Sequence, residues 1–244
     1  MGRYLISPNS FFDDRDQSVV EEFTQKLLTW YKENKRDFGW RRTRDPYKIL
    51  VAEMMLQKTT SKQVNELYER FLEKFPSPSS IDKASLSEIE AELTPLGMEH
   101  KRALRFKQWA KMIIEKYEGN VPRSKEELLT LPGVGDYIAN AVLCLAYGEH
   151  VPLLDTNIVR VLQRVFNLQS SKARARTDKK FWDFVMTITP PGKSRDLNLA
   201  LLDHGALVCL ARNPKCLICP VNQICVAYKE GKVRPLTQIS TRAS

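Results

Sequence analysis

The sequence predicts an all-helical protein, and three features of the pattern support this fold class. Apolar residues recur at helical spacing in several stretches; in residues 19–31, for example, Val20, Phe23 and Leu27 fall near one face. Short connections containing glycine or proline, such as residues 95–98 and 189–192, separate these stretches. No pair of strand-like segments, internal repeat or low-complexity block is visible in the sequence. An all-α architecture follows.

Composition limits the class of protein and its partners. The 244 residues include 38 Lys+Arg and 29 Asp+Glu, which gives a formal charge of +9 and suits a polyanionic partner such as nucleic acid. The N-terminus lacks the apolar core of a signal peptide, and the apolar stretch at residues 138–147 is too short to span a membrane. We therefore expect an intracellular protein, cytoplasmic or nucleoid-associated, without a membrane partner and without disulfides.

The N-terminal part of the chain combines an arm, two helices and a basic connector. Residues 1–17 are predicted to be a mobile arm and residues 19–31 an amphipathic helix. The basic connector, residues 32–47, surrounds Trp40 and is either a solvated loop with a buried Trp or a rim that faces phosphates. Residues 49–60 are predicted to form an apolar helix whose one acid is Glu53. A buried carboxylate needs a partner, so Glu53 is either a structural pair or a functional group.

The remaining helices are predicted from periodicity and capping signals. Residues 85–93 begin with Ser85 and Glu88 in a capping-box pattern, and Ser124 begins a short helix. Residues 99–117 form a basic amphipathic helix, a pattern that also suits a solvated face, a membrane surface or a partner protein. The other predicted segments are helices at residues 64–75, 158–166, 181–188 and 197–209, and a basic surface loop at residues 169–180.

A Pro-Gly-x-Gly turn at residues 131–135 joins two of these helices. Pro132 fixes its own φ, and the two glycines permit conformations that a side chain would forbid. Such a turn can bring backbone N–H groups against an anion at the start of the following helix, residues 136–147. The turn alone is a weak signal. It becomes a more specific indication of function because it is followed by a Gly/Pro loop at residues 148–152 and then by Asp155.

Four cysteines near the C-terminus have the spacing of a metal site. They follow the pattern C-x6-C-x2-C-x5-C, and their thiolates can converge on one centre; the residues are Cys209, Cys216, Cys219 and Cys225. Either tetrahedral zinc or a [4Fe–4S] cluster suits this chemistry. Cys144 lies within an apolar helix and is most simply a small core residue.

The hairpin at residues 131–135, the loop at residues 148–152 and Asp155 together resemble the helix-hairpin-helix–GPD superfamily of DNA base-excision glycosylases. The cysteine spacing is similar to the cluster loop of its endonuclease III-like members, which implies a [4Fe–4S] cluster. The passage from Phe38 to Gln57 looks like the adenine and thymine mismatch branches. The resemblance extends to Cys225 and implies that the partner is double-stranded DNA containing a mismatched or damaged base.

The resemblance also implies a division into two helical domains. A six-helix bundle with the hairpin would occupy residues 34–149, and residues 18–33 with 150–244 would form the cluster domain. In this family the DNA and the base pocket lie in the cleft between the domains. A monomer is expected.

Roles for individual residues follow from the same resemblance. Asp155 would stabilise positive charge on the sugar and activate a water molecule, although it could also be a simple helix cap. Glu53 would act at the base. The predicted DNA-binding residues are Leu131, Gly133, Val134 and Gly135 in the hairpin, Gln57, Lys58 and Met98 as fillers of the gap in the base stack, and Arg41 in the basic connector.

Residue 137 distinguishes the sub-classes of the family. Bifunctional members have at this point a lysine whose amine forms a Schiff base with the sugar, whereas this chain has Tyr137, which cannot form an imine. Tyrosine here, with Glu53 and Asp155, looks most like the glycosylases that remove thymine or uracil opposite guanine. A monofunctional enzyme is therefore predicted. The alternatives are adenine removal, a bifunctional pyrimidine lyase, and a non-catalytic iron–sulfur protein that binds DNA or carries electrons.

Overall fold

The computed structural model of the protein describes residues 14–233, and these residues contain α-helices but no β-strand, which confirms the all-α prediction. Short 3₁₀ turns lie between some of the helices. The α-helices are α1 (Asp14–Asn34), α2 (Gly39–Arg42), α3 (Pro46–Met55), α4 (Ser61–Lys74), α5 (Pro78–Lys83), α6 (Leu86–Leu93), α7 (Glu99–Tyr117), α8 (Lys125–Thr130), α9 (Asp136–Leu145), α10 (Thr156–Phe166), α11 (Lys179–Ile188), α12 (Ser194–Leu207) and α13 (Val226–Lys229).

The chain divides into two compact units, each with its own core. One unit, which we call the discontinuous unit, consists of the described residues up to 36 and from 152 onward. The other, the continuous unit, consists of residues 37–151. The boundaries predicted from the sequence lie at residues 34 and 150.

In the discontinuous unit, α1 and α10 both pack against α12, and α10 also contacts α13. Phe23 of α1 lies edge-on to Phe166 of α10, with ring centroids 4.9 Å apart, and Phe166 is equally close to Phe184 of α11. Asp203 of α12 is fully buried and accepts hydrogen bonds from the Arg36 backbone N–H at 2.9 Å and from Arg36 Nε at 2.6 Å. This ion pair fixes the end of the N-terminal segment to α12.

In the continuous unit, α3 packs against α9, and α7 packs against α5 and α6. Aromatic side chains fill the space around α7: the Phe106 ring lies 5.4 Å from the Phe71 ring and 5.3 Å from the Trp109 ring. All three side chains are fully buried. The apolar character of α3, of which every residue from Ile49 to Met55 is buried, therefore reflects a central position in this unit.

Side-chain caps determine where several helices begin. Ser85 and Glu88 form the predicted capping box of α6, and Ser124 caps α8 as predicted. The short helix α5 was not predicted from the sequence. Ser77 followed by Pro78 is nevertheless a typical N-cap and first-turn pair, and Ser77 accepts a hydrogen bond from the N–H of Ser80.

Two predicted boundaries were wrong by several residues. Residues 14–17 of the predicted arm belong to α1, in keeping with the preference for acidic residues in a first turn, and residues 1–13 lie outside the described part of the chain. The predicted helix at residues 49–60 ends at Met55, because Lys58 has a left-handed φ of 57° and Thr60 is already the N-cap of α4. The basic connector contains the short helix α2, and Trp40 is buried, as the loop interpretation predicted.

None of the helices between residues 14 and 233 combines the length and apolar character needed to cross a membrane.

Candidate functional site

The hairpin turn between α8 and α9 has the geometry of an anion-binding turn. Gly133 has a φ of +89°, and a Cβ atom there would lie 3.0 Å from Arg105 Cδ and from Met54 Cε, so the position requires glycine. Gly135 is the N-cap of α9 and, as glycine, offers no side chain to the first N–H groups of that helix. Both glycines are exposed. A ligand with negative charge can therefore approach the backbone at the positive end of α9.

Two of the predicted hairpin contacts point inward. The side chains of Leu131 and Val134 are 1% and 8% exposed, and the Val134 N–H donates to the Leu131 carbonyl at 3.0 Å. These residues therefore shape the turn, and their side chains face the interior of the protein.

Gln57 is held against the hairpin turn. Its Nε2 donates to the Gly133 carbonyl at 2.7 Å, and its Oε1 accepts from Arg105 Nη1 at 2.9 Å. The structure thus brings two of the predicted DNA-binding residues, Gln57 and Gly133, into direct contact although they are far apart in the sequence.

The other predicted contacts lie at exposed or half-buried positions. Lys58 is exposed, Met98 is 46% exposed, and both residues are left-handed, with φ of 57° and 54°. The Arg41 guanidinium lies 5.2 Å from the centre of the Phe38 ring, which is itself stacked on Trp40 at 4.5 Å. The Phe38 ring thereby helps to hold the Arg41 guanidinium in one place.

The two candidate catalytic residues of the continuous unit lie on helices that pack against each other. Glu53 is only 5% exposed, within the buried α3. Tyr137 is half-buried in the first turn of α9, directly after the hairpin. The predicted chemistry would use two ionisable groups of this unit: the buried carboxylate of Glu53 and the phenol of Tyr137 beside the hairpin turn.

Asp155 is the N-cap of α10, so its local geometry is that of a helix cap. Its Oδ1 accepts from the Ile158 N–H at 2.8 Å, and its Oδ2 accepts from Asn157 Nδ2 at 2.9 Å. Burial raises the pKa of Asp155 above its ordinary value, and the hydrogen bonds from Ile158 and Asn157 oppose this rise. The result is a half-buried carboxylate that is held in one orientation.

A chain of hydrogen bonds leads from Asp155 towards α12. Asn157 Oδ1 accepts from Arg160 Nη2 at 2.9 Å, and the same guanidinium donates to the carbonyls of Gly205 at 2.7 Å and Cys209 at 2.8 Å. Gly205 permits this packing, since a Cβ there would lie 2.8 Å from the Asn157 Cβ. The orientation of Asp155 is therefore linked through Asn157 and Arg160 to the end of α12.

The four cysteines line one recess in the discontinuous unit, of about 330 Å³ including its open mouth. Arg164 Nη1 lies 3.5 Å from Cys209 Sγ, and His204 Nε2 lies 3.2 Å from Cys219 Sγ. Among the described residues, no three His, Cys, Asp or Glu side chains are grouped closely enough to hold a single metal ion. An iron–sulfur cluster distributes its cysteine ligands over several iron atoms, so four cysteines around one recess suit it.

Burial also indicates that the cysteines need a bound cation to be ionised together. It raises the pKa of the Cys219 thiol to about 12, and burial followed by repulsion from neighbouring cysteines raises the pKa of Cys216 and of Cys225. Four thiolates in this recess would repel one another unless a positively charged centre bound them. Burial likewise lowers the pKa of His204 to about 4, so the ring is neutral at pH 7 and its Nε2–H can donate to sulfur.

The predicted residues are divided between the two units. Glu53, Tyr137, Gln57, Met98 and the hairpin belong to the continuous unit, whereas Asp155 and the four cysteines belong to the discontinuous unit. Cys144 is 1% exposed in α9, which confirms its structural role.

The sequence pattern alone did not reveal the structural contribution of Arg102, which lies within the predicted basic helix. Arg102 lies on the face of α7 that buries Phe106, Trp109 and Ile113, and only 4% of its surface is exposed. The sequence contained a signal, because Arg102 occupies the helical position four residues before Phe106 and thus falls on the apolar stripe.

Comparisons with known proteins agree with the geometry. Residues 51–186 match the HhH-GPD superfamily of base excision DNA repair proteins, and residues 209–225 match the iron–sulfur binding domain of endonuclease III, which indicates an iron–sulfur cluster. The chain is 41% identical to a thymine/uracil-DNA glycosylase of Pyrobaculum aerophilum, over 86% of this chain and 93% of the relative. It is 43% identical to a thymine-DNA glycosylase of Aeropyrum pernix, over 87% of this chain and 97% of the relative.

A solved structure of a thermostable thymine-DNA glycosylase superposes with a TM-score of 0.85 at 38% identity, and the match covers 89% of this chain and 100% of that one. The hairpin, Asp155 and the cysteine recess thus occur in a chain that shares both sequence and fold with these proteins. The chain belongs to the HhH-GPD superfamily of base excision DNA repair proteins.

Proposed function

We propose that this protein is a monofunctional DNA glycosylase that hydrolyses the N-glycosidic bond of thymine or uracil mispaired with guanine in double-stranded DNA. The observation that carries the proposal is the oriented, half-buried carboxylate of Asp155, in a chain that matches thymine-directed glycosylases over nearly their whole length. We expect the enzyme to act as a monomer.

Asp155 would act on the sugar of the target nucleotide. Cleavage of the N-glycosidic bond builds positive charge on the sugar, and a fixed carboxylate stabilises that charge by an interaction that strengthens in the transition state. The same oxygen atoms can orient a water molecule and accept its proton as the new C–O bond forms. The hydrogen bonds from Ile158 and Asn157 prepare the carboxylate for this role, because they hold it in place before the substrate binds.

Glu53 would act on the departing base. As the N-glycosidic bond breaks, the electron pair moves onto the base, and a hydrogen bond or proton from a carboxyl group stabilises it there. The buried position of Glu53 on α3 suits a group that works away from bulk water.

Tyr137 supports the absence of a strong lyase reaction. A lyase needs an amine that attacks the sugar and forms a Schiff base, and the position at which the lyase branch has lysine is tyrosine in this chain. The product would therefore be an intact strand that contains an abasic site.

The hairpin turn and Arg41 of the basic connector would bind the DNA backbone. Gly133 and Gly135 are exposed and present backbone at the positive end of α9, which is a favourable position for a phosphate. Arg41, with its guanidinium on the Phe38 ring, would contribute a second phosphate contact.

Removing a base from a duplex requires that the nucleotide leave the base stack, which costs a few kcal/mol and least for a mismatched base. We propose that Gln57, Lys58 and Met98 fill the resulting gap. The exposure of Lys58 and Met98 supports this role, since apolar and polar side chains that replace a base must protrude from the surface.

The four cysteines would hold a [4Fe–4S] cluster, which would cross-link residues 209–225 into one folded segment. Arg164 supports that segment independently, because its guanidinium donates to the carbonyls of Leu210 at 2.6 Å and Ala211 at 3.0 Å.

A panel of duplex substrates tests the proposed activity. Duplexes with G·T, G·U, A·G, A·8-oxoguanine and thymine glycol are incubated with the purified holoprotein under single-turnover conditions. Excision from G·T and G·U alone supports the proposal. Release of adenine from the A·G or A·8-oxoguanine duplex would instead identify an adenine glycosylase, and release of thymine glycol with strand cleavage would identify a bifunctional lyase. Tight binding to the duplexes without excision from any of them would indicate a DNA-binding protein that is not a glycosylase.

Borohydride trapping tests the monofunctional assignment. With the G·T duplex, the wild-type protein should leave a strand that is cut only after alkali treatment, and borohydride should trap no protein–DNA adduct. An efficient adduct would show that a lysine elsewhere in the chain serves as the nucleophile.

Salt dependence tests the phosphate contacts. The logarithm of the association constant should fall linearly with the logarithm of salt concentration, by roughly 0.9 for each phosphate contact. An affinity that is the same at low and moderate salt would contradict this mode of binding.

A further inference from the structure

Arg102 uses the whole hydrogen-bonding capacity of its guanidinium inside the continuous unit. An arginine side chain has five N–H donors, and a buried one needs partners for them. The acceptors of Arg102 are Gly97 O at 2.8 Å from Nε, Met54 O at 3.1 Å and Met55 O at 3.2 Å from Nη1, and Gln57 O at 2.7 Å and Thr59 Oγ1 at 2.5 Å from Nη2.

These acceptors belong to two turns. We call residues 54–59 the α3 turn, since it contains the last carbonyls of α3 and the residues that follow. Residues 97–98 form the α7 entry turn. Each turn contains a non-glycine residue in the left-handed region, Lys58 and Met98 respectively. Such a conformation costs about 1–3 kcal/mol and persists only where the surroundings fix it. The hydrogen bonds of the Arg102 guanidinium hold both turns in place.

A second arginine extends the connection to the hairpin. Arg105 lies three residues after Arg102 on α7, and its Nη1 donates to Gln57 Oε1 at 2.9 Å. The Gln57 amide in turn donates to the Gly133 carbonyl at 2.7 Å. Three turns that are far apart in the sequence are therefore joined through two arginines of one helix.

We propose that Arg102 is a positioning residue for base displacement: it locks the α3 turn to the α7 entry turn, so that Gln57, Lys58 and Met98 enter the base stack as one rigid body. The inference rests on the proposed function, which assigns those three side chains to the gap. Arg102 itself is buried and acts only through the two turns.

Rigidity matters here for an energetic reason. Ordering a side chain on binding costs roughly 0.5–1.5 kcal/mol, and this would have to come from the same contacts that stabilise the displaced nucleotide. Turns that are already fixed avoid this loss. An error of about 1 Å in placement can lower a rate by about 100-fold, so two independently mobile turns would insert poorly.

Arg102→Lys is the principal test, because lysine keeps the charge and can reach some of the carbonyls but cannot bind all five acceptors. With a G·T duplex and 2-aminopurine beside the thymine, we expect the fluorescence rise that reports base displacement to diminish. The single-turnover rate should fall by about 10- to 100-fold. Affinity for a matched duplex should change by less than about threefold, because phosphate contacts supply it. Lys111→Met, which removes one positive charge from the exposed part of the same helix, should match the wild type.

A double-mutant cycle shows whether Arg102 acts through the turns. Gln57→Ala and Met98→Ala are combined, with and without Arg102→Lys. If the arginine positions these side chains, its replacement should lower the rate by less than about threefold once they are already truncated, since coupled residues are not additive. Full additivity would assign Arg102 a general structural role and overturn the inference.

Other outcomes separate the inference from the proposed function. If Gln57→Ala and Met98→Ala each leave excision and fluorescence unchanged, the gap-filling assignment is wrong and the inference is overturned with it. If they slow excision while Arg102→Lys does not, only the inference is wrong. Should Arg102→Lys not fold, Thr59→Val provides the same cycle, because it removes one acceptor of Arg102 and leaves the other four.

Discussion

Replacing Asp155 by asparagine separates the two roles of this residue, because asparagine caps a helix about as well as aspartate but carries no charge. Asp155 is both the N-cap of α10 and the proposed stabiliser of the charged sugar. An amide oxygen can still accept the capping hydrogen bond from the Ile158 N–H, and only the bond from Asn157 to the second carboxylate oxygen is lost. The variant should therefore fold normally and bind a mismatched duplex with nearly unchanged affinity.

The expected loss of activity follows from the position of the carboxylate. Two unit charges about 4 Å apart interact by about 4 kcal/mol at an effective dielectric constant of 20, which suits a half-buried group. Because each 1.36 kcal/mol corresponds to a tenfold change in rate, removal of the charge should lower single-turnover excision by about 10³-fold. The measurement is excision of thymine from a G·T duplex with enzyme in excess.

Two further variants serve as controls. Asp155→Ala loses the cap as well as the charge, so it should lower the free energy of unfolding by about 1 kcal/mol relative to the asparagine variant. Asp45 is also an N-cap, at α3, where it accepts from the N–H groups of Tyr47 and Lys48. Asp45→Asn should retain both stability and activity. Wild-type excision by Asp155→Asn would refute the catalytic role and leave Asp155 as a cap alone.

The pH dependence gives a second check. Burial raises the pKa of Asp155 above 3.8, so excision should decline as pH falls through the raised value and the carboxylate gains a proton. The folded protein also binds this proton more tightly than the unfolded chain. The contribution of the group to stability is therefore fully present at acid pH and is lost as pH rises from 3.8 through the folded value. Asp155→Asn should remove this part of the pH dependence of unfolding.

Three other predictions concern the discontinuous unit. Cys216→Ser should weaken the yellow-brown absorption of the purified protein and its iron content, whereas Cys144→Ser should leave both unchanged; zinc without iron after anaerobic purification would contradict an iron–sulfur cluster. Asp203→Ala should lower the free energy of unfolding in urea by about 3 kcal/mol, because it removes a buried carboxylate that accepts two hydrogen bonds from Arg36, and a change below about 1 kcal/mol would show that the pair is dispensable. His204→Phe removes a ring nitrogen that lies 3.2 Å from Cys219 Sγ. If a cluster is bound there, the variant should lower its reduction potential by at most roughly 40 mV, the limit reached when a hydrogen bond of about 1 kcal/mol forms in the reduced state alone, and His204→Gln should lower it less.

Interactions between residues close together in the sequence determine the helices and several motifs of this protein. The helices, the capping box at Ser85 and the cap at Ser124 could be predicted because a cap is an interaction between residues three positions apart. The cysteine spacing and the glycines of the hairpin are equally local, since they depend on the covalent chain and on φ angles that a side chain forbids. The family could be identified from the order of these signals along the chain.

Segment ends were harder to predict, because they depend on competition between neighbours. The helix that contains Glu53 ends at Met55 because the left-handed turn at Lys58 and the cap at Thr60 together outweigh the helical preference of the intervening residues. The short helix α5 was missed because six residues give too little periodicity to recognise.

The tertiary structure alone decided which residues support the candidate site. Gln57 meets the Gly133 carbonyl across 76 residues of sequence, and Arg102 meets the carbonyls of Met54 and Met55. Every residue has a backbone carbonyl, so nothing in the residue types indicates which carbonyls an arginine will bind. The sequence could indicate only that an arginine on the apolar stripe of α7 needed acceptors, whereas the packing of α3 against its neighbours determined which acceptors were within reach.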